Sequence, residues 1–165
     1  MEDFKNIFVL GIGLIGGSLS RDLKRVLPES TIYGVDSNVD HLDEAVGLGV
    51  IDHSSRFEAL SQADLVILSI PVDQANLFLP AVLDAIAENA LVIDVGSTKG
   101  SVCDAVRNHP KRNQFLAAHP IAGTEFSGPS AAIENLFKDR TEEEIAALRK
   151  KYGATGDILE AEDRI

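Results

Sequence analysis

The ten residues His119-Pro-Ile-Ala-Gly-Thr-Glu-Phe-Ser-Gly128 gather an imidazole, a carboxylate and two hydroxyls on one short stretch. Pro120, Gly123 and Gly128 interrupt any helical or strand pattern, so the stretch reads as a loop. Binding and catalytic groups concentrate on loops held by rigid scaffolds. An imidazole titrates near neutrality, so His119 is suited to take a proton from a hydroxyl as hydride leaves the adjacent carbon. Glu125 could bind a polar substrate group, tune His119, or stand in solvent as an idle carboxylate. A second cluster, Gly11-Ile-Gly-Leu-Ile-Gly16, holds no acid or base. Its chemistry is that of bare backbone N–H groups at a helix start, which favour phosphate.

The elements that must position these clusters follow from hydrophobic patterning. Ile7–Leu10 is a strand-like run ending at Gly11, and residues 14–27 carry Leu14, Ile15, Leu19, Leu23 and Leu27 near helical spacing. Thr31–Val35 is a second strand, stopped by Asp36-Ser37-Asn38, and residues 39–48 read as a helix. Ile51 belongs to a short further strand. Leu65–Ile70 is a buried-type strand closed by Pro71; Asp73 is expected to cap a helix reaching Ala87, with Pro80 interrupting it. Leu91–Val95 is another strand, Ser97 or Thr98 caps a helix to about Asn108, and Gln114–Ala118 leads into the histidine loop. Strands apolar on both faces, alternating with helices, predict an α/β fold: a Rossmann-type, doubly wound, mostly parallel sheet.

In that context the glycine cluster reads as a dinucleotide fingerprint. Gly11 allows the tight strand-to-helix turn, Gly13 lets backbone approach a pyrophosphate, and Gly16 permits close packing of helix on sheet. Leu14 and Ile15 lie between them on the phosphate-facing turn. Asp36 ends the second strand, 20 residues beyond Gly16, where a carboxylate accepts from ribose hydroxyls. It repels a 2′-phosphate, and no Arg follows at Ser37 or Asn38, so NAD is favoured over NADP. Ser69 and Pro71 end the fourth strand at the same edge, where ligands of open α/β sheets bind. Pro71 reads equally as a strand terminator. Ser97 and Thr98 serve the site or merely cap a helix, and Lys99 is either a solvated cation or a charge partner.

Composition narrows the partners. Of 165 residues, 26 are acidic and 15 basic, a net charge of −11, which disfavours nucleic acid and anionic membrane. The single cysteine, Cys103, allows no internal disulfide, fits a reducing cytoplasm, and reads as a small core residue rather than a metal ligand. No metal site is expected. His41, His53 and His109 read as helix-surface and loop residues. The N-terminus lacks a signal-peptide layout, and no apolar run approaches the ~18 residues of a membrane helix. After Phe137 the texture changes: residues 138–151 hold nine charged residues, Thr141 and Glu144 match a capping box, and Ile145 and Leu148 mark an amphipathic helix. Ile158–Leu159 reads as the start of a last strand.

Three motifs together, Gly11–Leu19, Asp94-Val-Gly-Ser-Thr-Lys-Gly100 and His119–Gly128, resemble the nucleotide-binding domain of prephenate dehydrogenases over about residues 6–137. The histidine motif discriminates; the glycine loop is shared by many dehydrogenases. The resemblance implies NAD(P)-dependent oxidative decarboxylation of prephenate to 4-hydroxyphenylpyruvate in tyrosine biosynthesis, with arogenate as the alternative substrate. It implies that His119 polarises or deprotonates the ring hydroxyl, that Ser97 hydrogen-bonds in the same site, and that Thr124 and Glu125 lie with the substrate. It also implies a helical dimerisation domain, expected to be absent from this chain, so that residues 1–165 form one domain whose part from 138 onward departs from the family pattern. A non-catalytic NAD-binding regulatory module is the other reading of the same residues.

Overall fold

The computed structural model describes residues 4–120 and 126–137. Six parallel strands form one sheet: β1 (Asn6–Leu10), β2 (Thr31–Val35), β3 (His53–Ser54), β4 (Leu65–Leu68), β5 (Leu91–Asp94) and β6 (Phe115–Ala117). Their order is β3-β2-β1-β4-β5-β6, so the chain runs outward from β1 to one edge, crosses back to β4, and runs outward to the other. The register pairs Leu10 with both Val35 and Leu68, and Leu68 with Asp94, which brings the carboxyl ends of the four central strands into line. The crevice between β1 and β4 is therefore the topological switch point at which such sheets bind ligands.

Both sheet faces are apolar because alternate residues of each central strand enter different cores. Ile7, Val9, Leu65 and Ile67 pack with Ile32, Leu42 and Ala45 under α1 (Leu14–Val26) and α2 (Val39–Gly47). Phe8, Leu10, Val66 and Leu68 pack with Leu79, Val82, Leu83 and Val102 under α3 (Val72–Ala85) and α4 (Gly100–Ala105). This is the doubly wound Rossmann-type arrangement expected from the patterning.

Several boundaries move, each for a local reason. Ile51 is a core residue, and the short strand lies two residues later at His53–Ser54. Asp73 sits in the first turn of α3 and Pro71 takes the N-cap position, where the absent N–H of a proline-led start costs nothing. α3 continues through Pro80 and ends at Ala85. Neither Ser97 nor Thr98 caps α4; Lys99 occupies the N-cap, where its donor-only ammonium group cannot accept from the helix N–H groups and instead pairs with Asp94. Asn38 caps α2 by accepting from the N–H of Asp40 at 3.0 Å. The amphipathic helix and the last strand expected beyond Phe137 lie outside the described residues. No helix among the described residues is long and apolar enough to cross a membrane.

Candidate dinucleotide and catalytic site

The three fingerprint glycines meet different surroundings, and these match three different tasks. Gly11 has φ +89°, and a Cβ there would stand 2.3 Å from the Ser69 carbonyl oxygen at the end of β4. Only glycine lets β1 turn away this close to its neighbour strand. A Cβ on Gly16 would stand 2.1 Å from the Gly11 carbonyl oxygen and 3.1 Å from Val9, so Gly16 seats the helix on the turn. Gly13 is the opposite case: an added Cβ meets nothing within 4 Å. The open side of Gly13 lies at the N-cap of α1, whose first turn contains no acidic residue. The first turn of the helix thus supplies no carboxylate of its own against the positive helix end, with room for backbone to approach an anion. The residues present fit a dinucleotide pyrophosphate. Leu14 and Ile15, both half-buried, form the first turn.

Asp36 stands immediately after β2 and braces this loop. Its Oδ2 accepts from the Ile12 N–H at 2.9 Å and its Oδ1 from the Asn38 N–H at 2.9 Å. Each carboxylate oxygen retains acceptor capacity, so a ribose hydroxyl can donate to the same group. Gly11 N–H donates to Val35 O at 2.9 Å and Ser69 N–H to Leu10 O at 2.8 Å, locking the ends of β2, β1 and β4 together. Ser69 is half-buried against the glycine loop, whereas Pro71 is exposed.

The second half of the site leaves β5 and β6. Ala118 N–H donates to Asp94 O at 2.8 Å, extending the strand pairing to the residue before His119. His119 therefore emerges at the same sheet edge as the glycine loop and is half-buried there. Ser97 lies in the adjacent loop after β5 and is exposed. Thr124 and Glu125 lie outside the described residues.

Lys99 is a charge partner, resolving the alternative left by the sequence. It forms an ion pair with Asp94, which is fully buried, and its own side chain is only 15% exposed. Asp94 Oδ1 also accepts from the Gly96 N–H at 3.0 Å, so one carboxylate folds the whole Asp94–Lys99 loop around itself. Sequence reading treated Asp94 as the end of an apolar strand. The signal was present: an acid closing a Leu-Val-Ile run, with a lysine five residues on.

Two of the other histidines, His109 and His53, are held by structural contacts. His109 accepts at Nδ1 from the Lys111 N–H at 3.1 Å and places Nε2 3.2 Å from Asp84. His53 tilts against Tyr33, ring centroids 5.6 Å apart. Among the described residues no three His, Cys, Asp or Glu side chains group as a metal would require.

Comparison with known proteins agrees with this geometry. The family model described as prephenate dehydrogenase, nucleotide-binding domain, matches residues 19–142. The cyclohexadienyl dehydrogenase of Zymomonas mobilis is 33% identical over 84% of this chain and 48% of its own length. The prephenate dehydrogenase of Bacillus subtilis is 39% identical over 84% of this chain and 39% of its own. The crystal structure of the A. aeolicus prephenate dehydrogenase in complex with hydroxyphenyl propionate and NAD+ superposes with a TM-score of 0.73 at 31% identity, covering 89% of this chain and 55% of that one. The chain thus spans about half the length, or less, of the curated relatives it matches. With its glycine loop, its switch-point crevice and its strand-end histidine, the chain belongs to the prephenate dehydrogenase family, in the part that forms the nucleotide-binding domain.

Proposed function

We propose that this chain binds NAD and supplies the proton-accepting half of a site that converts prephenate to 4-hydroxyphenylpyruvate by oxidative decarboxylation. The observation that carries this reading is the shared sheet edge: the open Gly13 turn and His119 leave the carboxyl ends of one continuous parallel sheet. The relative solved with NAD+ and a hydroxyphenyl ligand supports both halves of it.

NAD, when bound, supplies the hydride acceptor. The N–H groups of the Gly13–Gly16 turn hold its pyrophosphate, and Asp36 accepts from the adenosine ribose and disfavours a 2′-phosphate. Ser69 and Pro71 border the same crevice. An imidazole nitrogen of His119 takes the proton from the substrate hydroxyl as hydride leaves the carbon that bears it. The ring carboxylate then departs as carbon dioxide and its bonding electrons complete the aromatic ring, so no metal is needed. Ser97 hydrogen-bonds beside His119, and Thr124 and Glu125 contact the substrate. The domain extends over residues 1–165, with 138–165 departing from the family pattern, and the complete enzyme is a cytoplasmic homodimer whose helical domain binds the substrate carboxylates.

The test is NADH formation from prephenate by an enzyme of the relatives' full length, with and without His119→Asn. The expected result is a fall in kcat of about 10²–10⁴-fold with NAD affinity kept. Turnover of the variant at the parent rate would remove His119 from the chemistry.

A further inference from the structure

Asp94 is a fully buried acid to which the proposed reaction gives no task. It closes β5, and each of its acceptor atoms holds a different segment. Its Oδ1 accepts from the Gly96 N–H at 3.0 Å, and its Oδ2 accepts from the Lys99 ammonium group. Its main-chain oxygen accepts from the Ala118 N–H at 2.8 Å, one residue before His119. A single residue thus tethers both ends of the loop that carries Ser97 and Thr98, and also the strand end from which His119 leaves. The loop backbone lies close on the carboxylate: a Cβ on Gly96 would stand 3.2 Å from Asp94 Oδ1 and 3.2 Å from Val72 Cγ2. Ser97 and Thr98, between the two tethers, are exposed. The tethers are seated on neighbouring elements, since the Val95 N–H donates to Leu68 O at 3.1 Å and the Cys103 N–H to Lys99 O at 2.9 Å.

A buried ion pair is a costly way to close such a loop. Desolvation of two charges offsets most of their attraction, and apolar replacements of similar volume are often as stable or more so. What the pair adds is direction: charge-assisted hydrogen bonds fix the geometry of both tethers in a way that apolar packing does not. The loop so fixed carries a hydroxyl that must stand beside the proton-accepting histidine. A displacement of about 1 Å there costs about 10²-fold in rate, so the restraint bears on chemistry and not only on folding.

We propose that Asp94 and Lys99 are positioning residues, their ion pair holding the Ser97 hydroxyl in register with His119 across the adjacent ends of β5 and β6. The inference rests on the dehydrogenase reading above, in which Ser97 hydrogen-bonds beside His119. It also turns the Lys99 ammonium group inward to Asp94, so Lys99 is not the cation that receives a substrate carboxylate.

The experiment is a double-mutant cycle on prephenate turnover in an enzyme of the relatives' full length. One arm replaces the pair by Asp94→Asn with Lys99→Met, which keeps the Oδ1 acceptor for Gly96 and leaves no charge stranded. The other arm is Ser97→Ala. Each arm alone should lower kcat by about 10- to 100-fold with the KM for NAD unchanged. Combined, they should fall no further than about twofold below Ser97→Ala alone, because an absent hydroxyl cannot be misplaced. A merely structural pair would lower kcat by the same factor in either background, or not at all, and either result would overturn the positioning role. Gly96→Ala disturbs the same tether without removing a charge and should repeat the pattern, which keeps the test decisive should the paired replacement fail to fold. Parent-like turnover in Ser97→Ala would overturn the placing of Ser97 in the site, and the proposal with it. Absence of prephenate turnover in the parent enzyme would instead overturn the dehydrogenase reading itself.

Discussion

Gly11 and Gly13 stand two residues apart and respond to substitution in opposite ways. Gly11→Ala forces a side chain into a left-handed turn, which costs about 1–2 kcal/mol. It also drives a Cβ against the Ser69 carbonyl at 2.3 Å. Overpacking adds about 1–3 kcal/mol, so chemical denaturation should show a loss of roughly 2–5 kcal/mol. Gly13→Val meets open space and an extended backbone, φ −95°, so stability should change by less than about 1 kcal/mol. NAD should nevertheless no longer bind, because the new side chain fills the pyrophosphate's place. Equal stability losses in both variants would refute the assignment of Gly13. Asp36→Ala should weaken NAD by about 1–2 kcal/mol, read by calorimetry, since it removes a hydrogen bond to a charged acceptor. These residues were legible from sequence because their task is local: a glycine's φ and a strand-end carboxylate leave their mark within a 26-residue window.

At the scale of elements, the Asp94–Lys99 pair fixes the loop between β5 and α4. Removing one partner of a buried pair leaves the other charge stranded, at about 3–5 kcal/mol. Lys99→Met is therefore expected to lower unfolding free energy by about that amount, measured by denaturant melts. A change under about 1 kcal/mol would show that Asp94 finds other partners. The pair also explains why sequence reading misplaced the start of α4. Ser97 and Thr98 are ordinary cap residues, and local propensity alone cannot reveal that a neighbour's ammonium group is drawn inward by a buried acid. The hydrogen bond from the Ile133 N–H to the buried Ser18 hydroxyl on α1 was invisible for a stronger reason. Ser18 and Ile133 are 115 positions apart, and neither periodicity nor a turn signal encodes their meeting. The strands, by contrast, were readable because both faces are buried, and continuous Val/Ile/Leu runs are what that burial demands.

Across the whole molecule, distant segments are pinned by acids that accept from backbone. Asp64 Oδ2 accepts from the N–H groups of Lys5 and Asn6 at 2.9 and 2.8 Å. Asp52 Oδ1 accepts from Lys24 Nζ on α1 at 2.6 Å, and its Oδ2 from the Ile32 N–H on β2 at 2.8 Å. Burial raises the Asp52 pKa, but the hydrogen bonds from Lys24 and the Ile32 N–H, with the charges of Lys24 and His53, outweigh it and leave the carboxyl below its ordinary 3.8. Because the folded-state pKa is depressed, this stabilisation is complete above about pH 4 and is lost as pH falls through the folded value. Lys24→Met should therefore flatten the acid limb of the stability curve, followed by thermal melts from neutral pH downward. An unchanged acid limb would show that Asp52 does not report the pairing. The same fold aligns the strand ends on which the account depends, and the claim that this edge is a site for NAD is open to one direct measurement. Calorimetric titration of the chain with NAD and with NADP should show NAD binding the tighter of the two, with Asp36→Ala narrowing the gap. Tighter binding of NADP, or binding of neither dinucleotide, would contradict it.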